Sequence, residues 1–110
     1  ESKKNTIVVI GVLKDKDVYS LIKPMINSVD KWYCGTINSD RGMNSDEIKT
    51  RMSSAINQKD IETFDSIDGA CSRAMLSLGD NDRLVVYGSF YTVSEFLDYY
   101  DATSKHKDII

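Results

Sequence analysis

Two short segments carry side chains that are suited to binding a small charged molecule. The segment "GSFYT", residues 88–92, follows an apolar run and precedes a helical pattern, so it offers the hydroxyl of Ser89 and free backbone N–H groups at a helix start. A helix start with such groups is a natural seat for an anion. The segment "KDKD", residues 14–17, follows another apolar run and offers two lysines and two carboxylates. These two segments are the candidate ligand-binding elements.

Each segment also has a purely structural alternative. Gly88 can serve only to relieve crowding where a strand becomes a helix, and Ser89 or Thr92 can serve only as a helix cap. Likewise, the charged turn can be solvated, with Asp15 or Asp17 capping the next helix. Spacing alone leaves both interpretations open.

The sequence shows no arrangement of side chains that is typical of nucleophilic or metal-dependent catalysis. The single histidine, His106, lies in a tail without pattern that we expect to fray. Cys34 and Cys71 lack the spacing of zinc or redox motifs and are predicted to be buried, reduced thiols. No GxxxxGK[ST] phosphate loop occurs, nor a recognisable nucleophile–base pair. The sequence therefore predicts no catalytic residue and no metal in these 110 residues.

Four apolar runs alternate with helical patterns along the chain. The predicted strands are residues 6–13, 31–37, 61–64 and 83–90, the third being short and weak. Each is followed by apolar residues at helical spacing, which predicts a helix with one buried face. The predicted inward stripes are Val18, Leu21, Ile22, Met25, Ile26 and Val29; Ile48, Met52, Ala55 and Ile56; Ile67, Ala70, Cys71, Ala74, Met75 and Leu78; and Val93, Phe96, Leu97 and Tyr100.

Local signals predict where these helices begin, bend and end. Pro24 should kink the first helix. Asn44 with Glu47, and Thr92 with Glu95, have the spacing of capping boxes. Ser66 is the expected cap of the third helix, and Gly79 its expected stop.

Strands that alternate with helices predict a Rossmann-like α/β fold, in which helices cover both faces of a parallel sheet. We expect the strand order 3-2-1-4 and a single domain over residues 1–110. Ligands of such sheets bind beyond the carboxyl ends of the strands, where the strand order reverses. This point lies between the first and fourth strands, so segments 11–17 and 88–92 should meet there.

The overall composition excludes several classes of partner. The formal net charge of −3 does not suit a nucleic-acid-binding protein, which normally carries a basic face. No apolar run approaches the roughly 20 residues that a membrane-spanning helix needs. We therefore expect a cytoplasmic monomer. Because the chain begins at Glu1, we also expect it to be a fragment of a longer protein.

Four blocks of the sequence together resemble a known family. "VVIGVLKDKD", "WYCGTINSDRGMNSDEI", "FDSIDGACSRA" and "LVVYGSFYTVSEFLD" are similar, in order and spacing, to the C-terminal domain of bacterial folylpolyglutamate synthases/dihydrofolate synthases of the Mur ligase superfamily. The resemblance implies part of an ATP-dependent ligase that adds L-glutamate to dihydropteroate or folates through an acyl phosphate. It also implies that ATP and Mg²⁺ are bound mainly by an N-terminal domain that is absent here. No cofactor is expected in these residues, and the chain alone is expected to be inactive.

The resemblance assigns roles to individual residues. It implies that Ser89, with Gly88, helps to hold the glutamate, and that Asp15, Lys16 and Asp17 form a loop near that site. Tyr91 stands where the family often has histidine, so no proton-transfer role is carried over, although an aromatic lining is. The family's Arg-Gly loop falls on Arg41-Gly42, and the resemblance leaves its role open.

The resemblance also shows what is missing. The family's Asp-Gly-Ala-His-Asn-Pro motif does not occur, which predicts a truncated domain without its first strand–helix unit. Two alternatives stay open. One is a ligase of the same superfamily that acts on a cell-wall precursor. The other is a non-enzymatic, receiver-like binding module with Asp15 and Asp17 as its acidic pocket, although its expected lysine on the last strand is absent.

Overall fold

The sheet consists of four parallel strands in the order β3-β2-β1-β4. In this computed structural model, which describes residues 4–103, the strands are β1 (Thr6–Gly11), β2 (Lys31–Gly35), β3 (Ile61–Phe64) and β4 (Arg83–Gly88). The predicted strand order is therefore confirmed. All six residues of β1 are buried because β1 has a paired strand on each side and helices on both faces, which explains its continuous apolar run.

Four α-helices connect or follow the strands: α1 (Val18–Ile22), α2 (Ser45–Met52), α3 (Ile67–Ser77) and α4 (Phe90–Thr103). Two short 3₁₀ segments, Lys23–Ser28 and Gln58–Asp60, lead into β2 and β3. Within residues 4–103, no helix combines the length and apolar character that crossing a membrane requires. His106 and the rest of the predicted tail beyond Thr103 lie outside the described residues.

The strand period of two divides the core into two layers. Val8 and Ile10 of β1 point to the layer under α1 and α2, whereas Ile7 and Val9 point to the layer under α3. The fully or nearly fully buried members of the first layer include Val18, Ile22, Trp32, Cys34, Ile48 and Met52. Those of the second layer include Tyr33, Ile37, Ile67, Ala70, Cys71 and Ala74.

The first helix differs from the prediction. Its α-helical part ends at Ile22, and the chain continues as a 3₁₀ segment with Pro24 in its first turn, rather than as one kinked helix. The physical reason is that Pro24 has no N–H group with which to continue the α-helical hydrogen bonds. Leu21, Met25, Ile26 and Val29 nevertheless pack against the first core layer, so the predicted apolar stripe survives the change of helix type.

The predicted caps were correct in part. Ser66 accepts a hydrogen bond from the Gly69 N–H at 3.0 Å and caps α3, which ends at Ser77, just before Gly79. Asn44 caps α2, but Glu47 does not complete the box: it pairs with Arg51 at 2.7 Å. Because α2 ends at Met52, the predicted continuation of its stripe is also wrong at one position, where Ala55 is exposed.

The start of α4 and two residues of its inner face were predicted wrongly, whereas Phe96 packs against the second core layer as predicted. The helix begins at Phe90, so Thr92 lies inside its first turn and is not a cap. Val93 and Leu97, predicted to face inwards, are 40% and 49% exposed. The helix begins three residues before Val93, the first residue that a Thr92 cap predicts, and Thr92, Phe96 and Tyr99 lie on its inner side.

Candidate functional site

The carboxyl ends of β1 and β4 meet at Gly11 and Gly88, which are register partners. The Gly11 carbonyl oxygen accepts the Ser89 N–H at 3.1 Å and the Thr92 hydroxyl at 3.0 Å. The start of α4 is thus fastened to the end of β1 at the point where the strand order reverses. The structure therefore brings together the two glycine-containing turns that the sequence placed there.

Gly88 is required at this junction for a structural reason. It is the one described residue with a positive φ, +120°, a conformation that residues with side chains rarely adopt. A Cβ atom at this position would also overlap the Gly11 carbonyl oxygen. Gly88 therefore has a structural role at this junction, and it brings the backbone next to Ser89 close to β1.

Ser89 caps α4. Its hydroxyl oxygen accepts the Thr92 N–H at 3.2 Å, and its carbonyl oxygen accepts the N–H groups of Thr92 and Val93 at 3.1 and 3.3 Å. The cap that was expected at either Ser89 or Thr92 is therefore Ser89. Its side chain stays half-exposed, so the hydroxyl can still reach a ligand.

The Ser89 hydroxyl proton is only loosely engaged. The Thr92 hydroxyl donates its single proton to Gly11, so in the 3.2 Å contact between the two hydroxyl groups Ser89 is the donor. That distance is long for an O–H···O bond. If the Ser89 hydroxyl rotated towards a carboxylate, it would lose its contact with the Thr92 hydroxyl. It would keep the hydrogen bond that it accepts from the Thr92 N–H.

The first two residues of α4 complete the anion-binding features of the site. The N–H groups of Phe90 and Tyr91 have no acceptor within the helix, because they belong to its first turn. The side chains of Phe90 and Tyr91 are 82% and 47% exposed. Together with the Ser89 hydroxyl, these groups can offer N–H and O–H donors with aromatic rings beside them.

The charged turn after β1 has a different organisation from that of the α4 start. Asp17 caps α1 by accepting from the Ser20 hydroxyl at 2.8 Å and from the Ser20 N–H at 3.4 Å. These bonds, led by that of the hydroxyl, lower the pKa of Asp17 below its ordinary value. Asp15 lies 3.7 Å from Arg41, and Lys16 is exposed. Asp17 is thus a structural cap, while Asp15 and Lys16 remain at the surface.

The Arg41-Gly42 loop pairs with the segment that leads into this turn. Leu13 and Gly42 form an antiparallel bridge, the Lys14 N–H donates to the Arg41 carbonyl at 2.7 Å, and the Met43 N–H donates to the Val12 carbonyl at 2.8 Å. Gly42 lies so close to the Ile37 carbonyl that no side chain fits. We did not predict this pairing from the sequence. Its only signal there is a glycine after a run of turn residues.

A cleft lies beside the start of α4 and shares Lys14 with the candidate segment 14–17. It measures about 960 Å³ and lies beyond the carboxyl ends of β1, β2 and β3. Its lining includes Lys14 and the α3 cap Ser66, but no residue of segment 88–92. Its charges are mixed, with Lys14 and Arg51 facing Asp40, Glu47 and Asp65.

The two cysteines and the potential metal ligands among the described residues form no recognisable catalytic or metal site. Cys34 and Cys71 are buried and free, as predicted, and burial raises the pKa of each thiol to about 12. Within residues 4–103, no three His, Cys, Asp or Glu side chains cluster so that they could hold a metal ion.

Comparison with known proteins agrees with this fold. The sequence model of the family described as "Mur ligase, glutamate ligase domain" matches residues 1–90. The dihydrofolate synthase/folylpolyglutamate synthase of Haemophilus influenzae is 36% identical over 91 residues, which are 82% of this chain and 21% of that protein. The chain thus spans about a fifth of the length of the curated relatives it matches.

Two solved structures contain the same fold. E. coli FolC in complex with DHPP and ADP matches 94% of this chain with a TM-score of 0.81 and 28% identity, and the match covers 24% of that protein. The folylpolyglutamate synthase/dihydrofolate synthase of Yersinia pestis, complexed with AMPPNP and a manganese ion, matches 94% of this chain and 23% of that protein, with a TM-score of 0.76 and 25% identity.

These findings confirm the resemblance noted from the four sequence blocks and contradict the receiver-like alternative. The match to the family model extends over most of the chain, through β4 and the Ser89 cap. The chain therefore belongs to the glutamate ligase domain family of the Mur ligases.

Proposed function

We propose that this chain is the glutamate-binding C-terminal domain of an ATP-dependent ligase that joins L-glutamate to dihydropteroate or to folates. The observation that carries the proposal is the position of Ser89. Its half-exposed hydroxyl lies at the strand-order switch of a domain from a glutamate ligase family and has a proton that can turn to a ligand. The names of the relatives support a folate substrate over a cell-wall precursor.

In this proposal the start of α4 binds a carboxylate of glutamate. The Ser89 hydroxyl donates one hydrogen bond, and the N–H groups of Phe90 and Tyr91 add the favourable potential of a helix N-terminus. The Tyr91 ring lines the site, and Gly88 permits the close approach of the backbone. Asp15, Lys16 and Asp17 form the neighbouring loop, in which Lys16 adds positive charge.

ATP with Mg²⁺, bound by the remainder of the enzyme, would supply the activation of the acceptor's carboxylate. The Escherichia coli relative in complex with ADP and the Yersinia pestis relative in complex with AMPPNP and manganese support this part of the proposal. The role of residues 4–103 is to bind and orient the amino acid, so that its amine faces the activated carboxylate.

Ser89→Ala in the full-length enzyme should raise the KM for L-glutamate and leave kcat nearly unchanged. Loss of one hydrogen bond to a charged carboxylate costs about 1.5–3 kcal/mol, which is roughly a tenfold to hundredfold rise in KM. Steady-state kinetics with varied glutamate, at saturating ATP and acceptor, would measure this. Ser72→Ala, at an exposed position of α3, is the matched control.

A second variant separates ligand binding from helix capping. Ser89→Asp keeps an N-cap oxygen but cannot donate a hydrogen bond and repels a carboxylate, so its KM should rise further while the melting temperature stays close to that of the parent. If both Ser89 variants kept the parental KM for glutamate, Ser89 would be a cap only.

The domain proposal has its own test. We propose that the 110 residues are a truncated domain that folds as a cytoplasmic monomer and lacks ligase activity. Because the chain contains no phosphate-binding loop, the purified fragment should form no amide product from dihydropteroate, glutamate and MgATP. Detectable ATP-dependent glutamate addition by the fragment would contradict this, and the full-length enzyme serves as the positive control.

A further inference from the structure

Thr92 is a polar side chain in an unusual place. It is the third residue of α4 and is fully buried, the most deeply buried polar residue among those described. Its backbone N–H group and its hydroxyl group both have hydrogen-bond partners. Its N–H reaches the Ser89 oxygens, and its hydroxyl reaches Gly11 and Ser89.

The Thr92 hydroxyl joins the two turns that meet at the strand-order switch. Its proton goes to the Gly11 carbonyl at 3.0 Å, and its oxygen faces the Ser89 hydroxyl at 3.2 Å. Gly11 is shaped for this contact, because a Cβ atom there would overlap the Thr92 hydroxyl oxygen. A threonine hydroxyl in this position therefore needs a glycine at the end of β1.

The same arrangement determines what Ser89 can do. One lone pair of the Ser89 oxygen is occupied by the Thr92 N–H, and the Thr92 hydroxyl cannot donate to Ser89 because its proton is committed to Gly11. Ser89 is therefore left as a hydrogen-bond donor, which is the form that a carboxylate requires. A hydroxyl that accepts a hydrogen bond also becomes a somewhat better donor.

We propose that Thr92 is a positioning residue for glutamate binding: through its bond to the Gly11 carbonyl it holds the start of α4, and with it the Ser89 hydroxyl, against the end of β1. The proposal rests on the proposed role of Ser89. Thr92 itself is buried behind Ser89 and does not touch the ligand.

The test uses the full-length enzyme with Thr92→Val and Thr92→Ser. Valine has a similar shape but no hydroxyl, so Thr92→Val loses the tether to Gly11 and should raise the KM for L-glutamate by about tenfold, because the start of α4 and the Ser89 hydroxyl are held less precisely. Its kcat and its KM for ATP should stay unchanged. Thr92→Ser retains the hydroxyl and should restore most of the affinity. If Thr92→Val does not fold, Thr92→Ala compared with Thr92→Ser gives the same contrast.

A double variant distinguishes failure of this inference from failure of the proposed function. If Thr92 acts through Ser89, Thr92→Val should have little further effect on the KM for glutamate in a Ser89→Ala background. An unchanged KM in Thr92→Val, or an equal loss in both backgrounds, would overturn the positioning role while leaving that of Ser89 intact. An unchanged KM in Ser89→Ala alone would instead overturn the proposed function.

Discussion

At the scale of single residues, the start of α4 combines structural roles with the binding role that we propose for Ser89. Gly88 has to be glycine because of its φ of +120° and its contact with Gly11. Ser89 caps the helix and still exposes a donor. The sequence posed these as alternatives, but the geometry shows that capping a helix does not use up the serine proton.

Gly88→Ala should destabilise the domain by about 2–4 kcal/mol, because backbone strain at positive φ and steric overlap with β1 both contribute. Urea unfolding of the purified chain, followed by circular dichroism, measures the change. Gly69→Ala is the control. It lies within α3, where alanine is favoured over glycine and the nearest atom to the new Cβ is a side-chain oxygen at 3.3 Å. A loss for Gly88→Ala no greater than that for Gly69→Ala would contradict the argument.

At the scale of elements, apolar spacing predicted the type of each helix and strand better than its bounds. Ser66 and Asn44 are true caps because a polar side chain at a helix start satisfies free N–H groups wherever the helix packs. The start of α4 was predicted wrongly because Gly88, Ser89 and Thr92 are all residue types that favour the start of a helix. The local sequence pattern does not show which of them takes that position. The contact with Gly11 decides in favour of Ser89.

A carboxylate joins two elements at the opposite end of the sheet. Asp82 accepts the Asn5 N–H, just before β1, at 3.0 Å, and the Gly79 N–H, just after α3, at 2.7 Å. These bonds, that from Gly79 first, lower the pKa of Asp82 below its ordinary value. Asp82 therefore ties the start of β1 to the turn that enters β4.

Asp82→Asn should lower the free energy of unfolding at neutral pH. Since folding lowers the pKa of Asp82, the unfolded state binds the proton more readily. The stabilisation is therefore present above the pKa of the unfolded state and is lost as the pH falls through the pKa of the folded state. The difference between parent and variant should thus shrink in acid. Urea midpoints of both proteins across this range measure it, and a difference independent of pH would contradict the assignment.

At the scale of the whole molecule, the two core layers determine whether the domain folds. Met52 closes the first layer, where it is fully buried and lies 3.6 Å from the Cys34 sulfur. By contrast, Leu76 on the outer side of α3 is 78% exposed. The two apolar side chains should therefore contribute very differently to stability.

Met52→Ala should cost about 2–5 kcal/mol through lost burial and the cavity that remains. Leu76→Ala should change stability by no more than about 0.5 kcal/mol. Thermal and urea unfolding of the purified chain would measure both. Equal effects of the two substitutions would mean that the first core layer is not packed as described.

The sequence by itself determined the α/β class, the strand order and the family resemblance. Hydrophobic periodicity reports which faces are buried, and alternating strands and helices admit few parallel arrangements. It did not determine the bond between Thr92 and Gly11, which are 81 residues apart, or the pairing of Leu13 with Gly42. These contacts depend on the register of β1 against β4 and on how the loops after β1 and β2 pack. Only the tertiary structure could therefore identify Thr92 as the residue behind Ser89.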